Sequence, residues 1–337
     1  MSLDELSEVM LPVIEAKLQQ AIWQTSRPGL EEMVAMMSYH MGWEGEGAGV
    51  ERRGKRIRPL LVLLCAAAAG GDWREALPGA VAVELVHNFS LVHDDIQDQS
   101  PLRRGRVTLW KRWGIAQALN TGDTLFTLAQ LAVLRLAESV SKEAGLAAAQ
   151  VLQETCLALT QGQYLDLSYE GRVDLSEADY WPMVRGKTAA LLEACTYIGA
   201  RSAQAEPGVC QMYREFGRLL GLAFQVQDDL LGMWGDMTAT GKSNASDLVS
   251  GKKTLPVLYG LSRKGAFARR WAQGAIQAEV APKLAAQLEA EGALDYTRQC
   301  AEQLTQQAQG ALEQAQPAGE AGQALFELAR KLWKRAT

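Results

Sequence analysis

Paired cysteines are missing from this chain. Its five, Cys65, Cys156, Cys195, Cys210 and Cys300, are odd in number, widely scattered and without a CxxC pair. That argues against a disulfide framework or a zinc site and fits buried, reduced thiols in a cytoplasmic protein. Histidine is scarce, with three in 337 residues. No Ser/His/Asp or Cys/His arrangement is readable, and no glycine-rich nucleotide loop occurs. A basic excess is missing as well. The 34 Lys and Arg are outnumbered by 39 Asp and Glu, for a net charge of −5 and a pI near 5.5, so no nucleic-acid partner is expected. The longest strongly apolar stretch, Pro59 to Gly71, has 13 residues, short of the ~20 that span a bilayer. No stable membrane insertion is expected. Met1 to Met10 shows no basic region followed by an apolar run, so no secretory leader is expected either.

Strand-like alternation is nearly absent too, which leaves an all-α reading. Hydrophobic residues make up 48% and charged residues 22%, an ordinary globular balance. Helical patterns run near 4–23, 28–41, 55–70, 76–99, 114–139, 145–169, 182–202, 208–234, 254–262, 266–275, 279–290, 292–315 and 320–335. Prolines fall between these stretches: Pro59, Pro78, Pro182, Pro256 and Pro282 all read as residues near helix starts, where the missing N–H costs nothing. Loops are expected at Gly42–Gly54, with five glycines, at Pro101–Val107 and at Thr238–Lys253. Without a repeat or a long linker, residues 1–337 read as a single domain. Its chemistry lies within 50–260 and covering helices fill 266–337.

Two aspartate clusters stand out. Asp94-Asp95-Ile96-Gln97-Asp98 and Asp228-Asp229, followed by Asp236, each end an otherwise apolar stretch. Asp94 and Asp98 are four apart and share a helix face; Asp229 and Asp236, seven apart, share another. Carboxylates in an apolar setting repel and resist desolvation unless a cation compensates them. Hard oxygens suit Mg²⁺, which binds through a few carboxylates plus substrate phosphates. Two such faces across a cavity would clamp a diphosphate. Standing alone, each string could equally be a solvated acidic face.

The basic segments weigh against that bland reading. Arg52-Arg53-Gly54-Lys55-Arg56-Ile57-Arg58 leads straight into the apolar run Leu60–Leu64. Lys55 and Arg58 therefore sit at a helix N-terminus, which attracts anions. Arg103-Arg104-Gly105-Arg106 follows the first cluster closely; guanidiniums bind phosphate oxygens bidentately, although salt bridges to the aspartates are the competing reading. Lys187-Thr188, Lys242 and Lys252-Lys253 add cations beside predicted helix ends. His87, seven before Asp94, shares its face and could donate to a second anion, while His93 reads as packed.

Together these segments resemble the trans-isoprenyl diphosphate synthases, the polyprenyl synthetase family. The matching stretches are GKRIRP at 54–59, ELVHNFSLVHDDIQDQSPLRRG at 84–105, TGDTLF at 121–126, QGQYLDL at 161–167, RGKTAALLEAC at 185–195, FQVQDDLLGMWGD at 224–236 and GKSNASDLVSGKKTLP at 241–256. The resemblance implies an all-α isoprenoid synthase fold with helices around a deep central cavity, and usually a homodimer. It implies three Mg²⁺, two held by Asp94 and Asp98 and a third by Asp228, with Asp95 and Asp229 beside them. It assigns the allylic diphosphate to Arg103, Lys187, Thr188, Gln225, Lys242 and Lys252, and isopentenyl diphosphate to Gly54, Lys55, Arg58, His87 and Arg104. Two departures are visible. The second motif commonly reads DDxxD, and Gly232 stands where its last Asp would be, with Asp236 one turn beyond. Arg53-Gly54 replaces a double glycine.

Chain length is the finest expectation. At about 1.5 Å of rise per residue, Phe89 lies ~7–8 Å below Asp94, where its ring would narrow a product tunnel beside the small Ser90. In the resembling family an aromatic there goes with short products, so geranylgeranyl diphosphate is expected and farnesyl diphosphate comes second. A terpene cyclase on this fold would pair one Asp-rich motif with an Asn/Ser/Glu triad. A non-catalytic partner subunit would lose first-motif aspartates or arginines. Neither pattern is present.

Overall fold

The computed structural model describes residues 1–235 and 245–333. In chain order its helices are α1 (Leu3–Trp23), α2 (Glu31–His40), α3 (Ile57–Ala68), α4 (Leu77–Gln97), α5 (Leu109–Trp113), α6 (Ile115–Leu134), α7 (Leu136–Ser139), α8 (Lys142–Tyr169), α9 (Glu177–Val184), α10 (Ala190–Ser202), α11 (Pro207–Trp234), α12 (Ser246–Val249), α13 (Leu255–Ser262), α14 (Ala266–Trp271), α15 (Ala281–Ala290), α16 (Ala293–Gln314) and α17 (Gly319–Trp333). Among the described residues the strands are confined to one hairpin, β1 (Leu102–Arg103) against β2 (Arg106–Val107). The all-α expectation holds. Contacts group the chain into two units, one of 1–156, 194–214 and 315–325, the other of 157–193, 215–314 and 326–337.

In the first unit α4 packs along α6 and against α3. α3 is apolar all round and buried accordingly, with Leu60 to Leu64 at 5% exposure or less; each such side chain contributes ~1.5–3 kcal/mol on leaving water. The buried positions of α6 are mostly small, among them Ala118, Thr121, Gly122 and Ala129, so α4 can approach closely. α4 buries Val81 to Val86 and Val92 and carries the first aspartates on its last turn.

The second unit gathers α9, α11, α13 and α16 around Tyr180, Leu222, Val226, Leu230, Leu255, Leu258 and Ala301. A second cluster joins Met233, Leu248, Val257, Phe267, Leu284 and Leu288. α9 begins six residues before Pro182, so that proline does not mark the helix start. The start is set by Ser176, whose backbone N–H and hydroxyl both donate to Asp179, at 2.9 and 2.8 Å, a reciprocal cap of the capping-box kind. Pro182 and Pro12 both lie inside helices, contrary to the expectation that prolines fall between them. Both rings are exposed, on sides where a carbonyl left without its N–H partner can turn to water. After α9 the chain widens into a π turn, Arg185–Ala189. Gly162 and Gly186 cross there: a Cβ on Gly162 would fall 2.2 Å from the Lys187 nitrogen. No described helix is long and apolar enough to cross a membrane. All five cysteines are free.

Candidate active site

The last turn of α4 splits its acids by direction. Asp94 is half-buried and Asp98, the helix C-cap, is exposed, while Asp95 is buried. This follows from 100° per residue: positions i and i+4 face one way, and i+1 turns into the fold. Inside, Asp95 accepts from Arg103 Nε at 2.7 Å. Burial pushes the Asp95 carboxyl up to about 6, with Arg103 pulling it down and Asp94 and Asp98 pushing it further up. The salt-bridge reading of the arginine segment is thus realised for Arg103, through one edge of its guanidinium. Arg104 and Gly105 form the hairpin's two-residue loop, both with positive φ, +51° and +73°, as a type I′ turn demands. The main-chain oxygen of Arg104 accepts from Arg52 at 2.6 Å and the Arg104 guanidinium returns a bond to the Arg52 carbonyl at 3.2 Å. It lies flat on Gly54, where a Cβ would fall 2.7 Å from Nη2.

Around this turn the first unit collects positive charge that its own acids do not balance. At the N-cap of α3, Arg56 is buried and held by Glu15 at 2.6 Å and Glu84 at 2.7 Å, with φ +48°. That anchor fixes its neighbours: Lys55 is exposed, and Arg58 reaches His87 Nε2 at 3.2 Å. Burial lowers Arg58, and burial together with Arg58, Arg104, Arg103 and Arg56 holds His87 well below its ordinary value. His87 is therefore neutral, with Nε2 accepting from Arg58 and its remaining N–H available as a donor. Arg104 is also lowered, by burial first and then by repulsion from Arg56. The Arg58 Nε is buried with no hydrogen-bond partner among the described residues. Crowded, partly desolvated cations of this kind call for an anion. The sequence-predicted group Gly54, Lys55, Arg58, His87 and Arg104 is gathered here.

α11 repeats the split in the second unit. Asp228 is exposed and Asp229 is buried. Asp229 accepts from Gln225 at 2.9 Å, from the Tyr180 hydroxyl at 2.8 Å and from the Leu255 N–H at 3.0 Å. Burial still pushes it up to about 7 against those three donors. Its carboxylate ties α11 to α9 and to the start of α13. Thr188 donates to Gln225 at 2.7 Å, so the Gln225 amide is oriented from both ends. Lys187, lifted on the π turn, pairs with Asp166 of α8. Lys252 is exposed. Asp236 and Lys242 lie outside the described residues.

Phe89 is half-buried on α4, its ring 5.1 Å from Phe126 of α6 and 4.8 Å from His93. Ser90 turns its hydroxyl back to the His87 carbonyl at 2.8 Å. His93 is packed as read, within 3.3 Å of Asp123, and Gly122 leaves it room: a Cβ there would fall 2.4 Å from the ring.

Several partners went unread in the sequence. Arg56, Glu15 and Glu84 form the buried anchor, and its only local signal is Glu84 and Asn88 on an apolar helix face. His40 is buried, its Nε2 lacking a partner among the described residues. It lines a small cleft with Arg52, Asp95, Arg103 and Arg104, and nothing in its local sequence marks it. Asp166 and Tyr180 are placed only by long-range packing.

No three acids, histidines or cysteines converge into a metal cage among the described residues. That fits Mg²⁺, which is held by one or two carboxylates and takes its other ligands from water and substrate phosphates. The outward Asp94–Asp98 pair and Asp228 are carboxylates of that kind.

The chain belongs to the polyprenyl synthetase family, whose model matches residues 48–287. It is 46% identical to the (2E,6E)-farnesyl diphosphate synthase of Mycobacterium tuberculosis over 242 residues, 71% of this chain and 66% of that protein, just under two thirds of its length. Identity with the geranylgeranyl diphosphate synthase of the same organism is 38% over 293 residues, covering 85% of this chain and 83% of the other. A polyprenyl synthetase structure from Streptomyces coelicolor superposes with a TM-score of 0.86 at 35% identity, covering 98% of both chains.

Proposed function

We propose that the chain is a Mg²⁺-dependent short-chain prenyltransferase that joins isopentenyl diphosphate head to tail to an allylic diphosphate. The observation that carries this reading is the uncompensated cationic cluster of Arg58, His87 and Arg104 in the unit that turns Asp94 and Asp98 outward. Lys55, Arg58, His87, Arg104 and the Gly54 backbone bind isopentenyl diphosphate. Arg103, Lys187, Thr188, Gln225, Lys242 and Lys252 bind the allylic diphosphate. Three Mg²⁺, two on Asp94 and Asp98 and one on Asp228, would neutralise the leaving diphosphate so that the allylic C–O bond can ionise. Lys187, fixed by Asp166, and the amide of Gln225, fixed by Thr188 and Asp229, are preorganised toward developing charge, so they need not rearrange as the bond breaks. The double bond of isopentenyl diphosphate then attacks the carbocation, and the released diphosphate takes the final proton. The enzyme acts as a homodimer: Leu131 and Leu134 on α6 and Leu157 and Tyr164 on α8 are exposed, more apolar surface than a lone chain usually shows. A cytoplasmic setting suits its free thiols.

The product is geranylgeranyl diphosphate. Phe89, braced by Phe126, is the single bulky residue proposed as the floor, with Ser90 beside it and the smaller Val86 and Ala82 below. Farnesyl diphosphate is the second reading, supported by the 46% identity with a farnesyl diphosphate synthase. Mass analysis of the product from isopentenyl and dimethylallyl diphosphates decides between them. Phe89→Ala should lengthen the product. An unchanged distribution, or a wild type already making C30, sinks the floor assignment.

A further inference from the structure

Gly232 stands where the second motif would carry its last acid, and the structure shows what fills that space. A Cβ built on Gly232 would lie 2.0 Å from Asp247 Oδ2 and 2.6 Å from its Cγ. No side chain of any kind fits there. The carboxylate of Asp247, buried at 9% exposure on the short helix α12, takes the place that a side chain at 232 would occupy. Residue 232 is four after Asp228, hence on the same face of α11. The main chain of Asp247 is itself pinned: its carbonyl accepts from the Lys252 N–H at 3.0 Å and from the Ser250 hydroxyl at 3.2 Å. We propose that Asp247 supplies from α12 the carboxylate that the second aspartate motif lacks on α11, and that it positions the hydrated Mg²⁺ held by Asp228. The loss of the acid at 232 and the entry of the acid at 247 are then one change, because each excludes the other sterically. The inference rests on the reading of Asp228 as a metal-holding residue.

Affinity for Mn²⁺ in the presence of inorganic pyrophosphate, followed by the loss of the free-ion EPR signal, tests it without turnover. Wild type should bind, and Asp228→Asn should bind far more weakly. Asp247→Asn keeps the shape and removes the charge; it should weaken Mn²⁺ about 10–100-fold, the usual cost of losing a residue that supports a metal from behind its direct ligands. The paired exchange Gly232→Asp with Asp247→Gly should recover the affinity to within about threefold. A merely structural Asp247 would shift the thermal midpoint and leave the Mn²⁺ affinity alone. Asp247→Asn binding within twofold of wild type, while Asp228→Asn is impaired, overturns this inference and spares the functional reading. Wild type that does not bind Mn²⁺ with pyrophosphate overturns both.

Discussion

The ends of α4 and α11 carry the same dipeptide and handle it differently. In each, the first Asp turns outward and the second turns in. The inward acid of α4, Asp95, is met by a cation, Arg103, at 2.7 Å. The inward acid of α11, Asp229, is met by three neutral donors, Tyr180, Gln225 and the Leu255 N–H. A charged partner keeps a carboxylate ionised and keeps itself in place; neutral donors leave burial in charge. Hence Asp95 is pushed only to about 6 and Asp229 to about 7. A doubled aspartate on a helix is therefore two devices, one facing a ligand and one fastening the helix that presents it.

The outward pair should give the largest effects. Asp94→Ala and Asp228→Ala should each reduce kcat by roughly 10²–10³-fold, the scale seen when a charge-stabilising group is removed from an active site. Their thermal midpoints should stay within a few degrees of wild type, because neither side chain is fully buried. Steady-state turnover with saturating Mg²⁺ and a thermal melt check both halves. Near wild-type turnover in Asp94→Ala breaks the assignment of outward acids to the metal.

The inward acids should differ from each other in stability. Asp229→Ala strands three donors, a buried hydroxyl among them, at ~1–3 kcal/mol for each one left unsatisfied. A loss of about 3 kcal/mol or more is expected. Asp95→Ala strands Arg103 alone, whose side chain is 31% exposed and can turn to water, so about 1 kcal/mol is expected. Urea denaturation of the two variants ranks them, and a larger loss for Asp95→Ala would reverse the comparison.

Much of this was legible beforehand, for physical reasons. Helical periodicity placed α4 and α11, and the i,i+4 rule placed Asp94 and Asp98 on one face. The run Leu60–Leu64 announced a buried helix, and so put Lys55 and Arg58 at its start. What could not be read were partners set by tertiary packing. Arg56 looked like any other member of its basic run, yet Glu15 and Glu84 draw it inside. Asp95 and Asp229 looked like ligands because sequence spacing does not say which acid finds donors behind it. The start of α9 was misplaced because Pro182 outweighed the shorter Ser176–Asp179 signal. Gly232 read as a bare loss until Asp247 was found against it.

A smaller effect separates the substrates. Lys55→Ala or Arg58→Ala should raise KM for isopentenyl diphosphate about tenfold, the equivalent of ~1.5–3 kcal/mol for a charge-assisted contact. Lys187→Ala should act on the allylic substrate instead and also release Asp166. Equal effects on both substrates from all three variants would refute the division.

The smallest effect at neutral pH concerns His40. Burial, with Arg104, Arg103, Arg56 and Arg106 adding to it in that order, holds His40 at about 3, against 6.5 for a free histidine. The folded chain therefore binds this proton less readily than the unfolded one. By linkage, the neutral histidine's contribution is fully present above pH 6.5 and is lost as the pH falls toward 3. At about 1.36 kcal/mol per pH unit, that fall corresponds to an upper figure of about 5 kcal/mol. His40→Gln cannot take up the proton. It should match wild type at pH 8 to within about 1 kcal/mol, since the site already holds a neutral side chain. Between pH 6 and 4 it should lose stability less steeply than wild type. Urea midpoints across that range give both slopes. Parallel slopes would mean that the arginines around His40 do not govern its proton, and that the positive field read at the first aspartate cluster is weaker than the geometry implies.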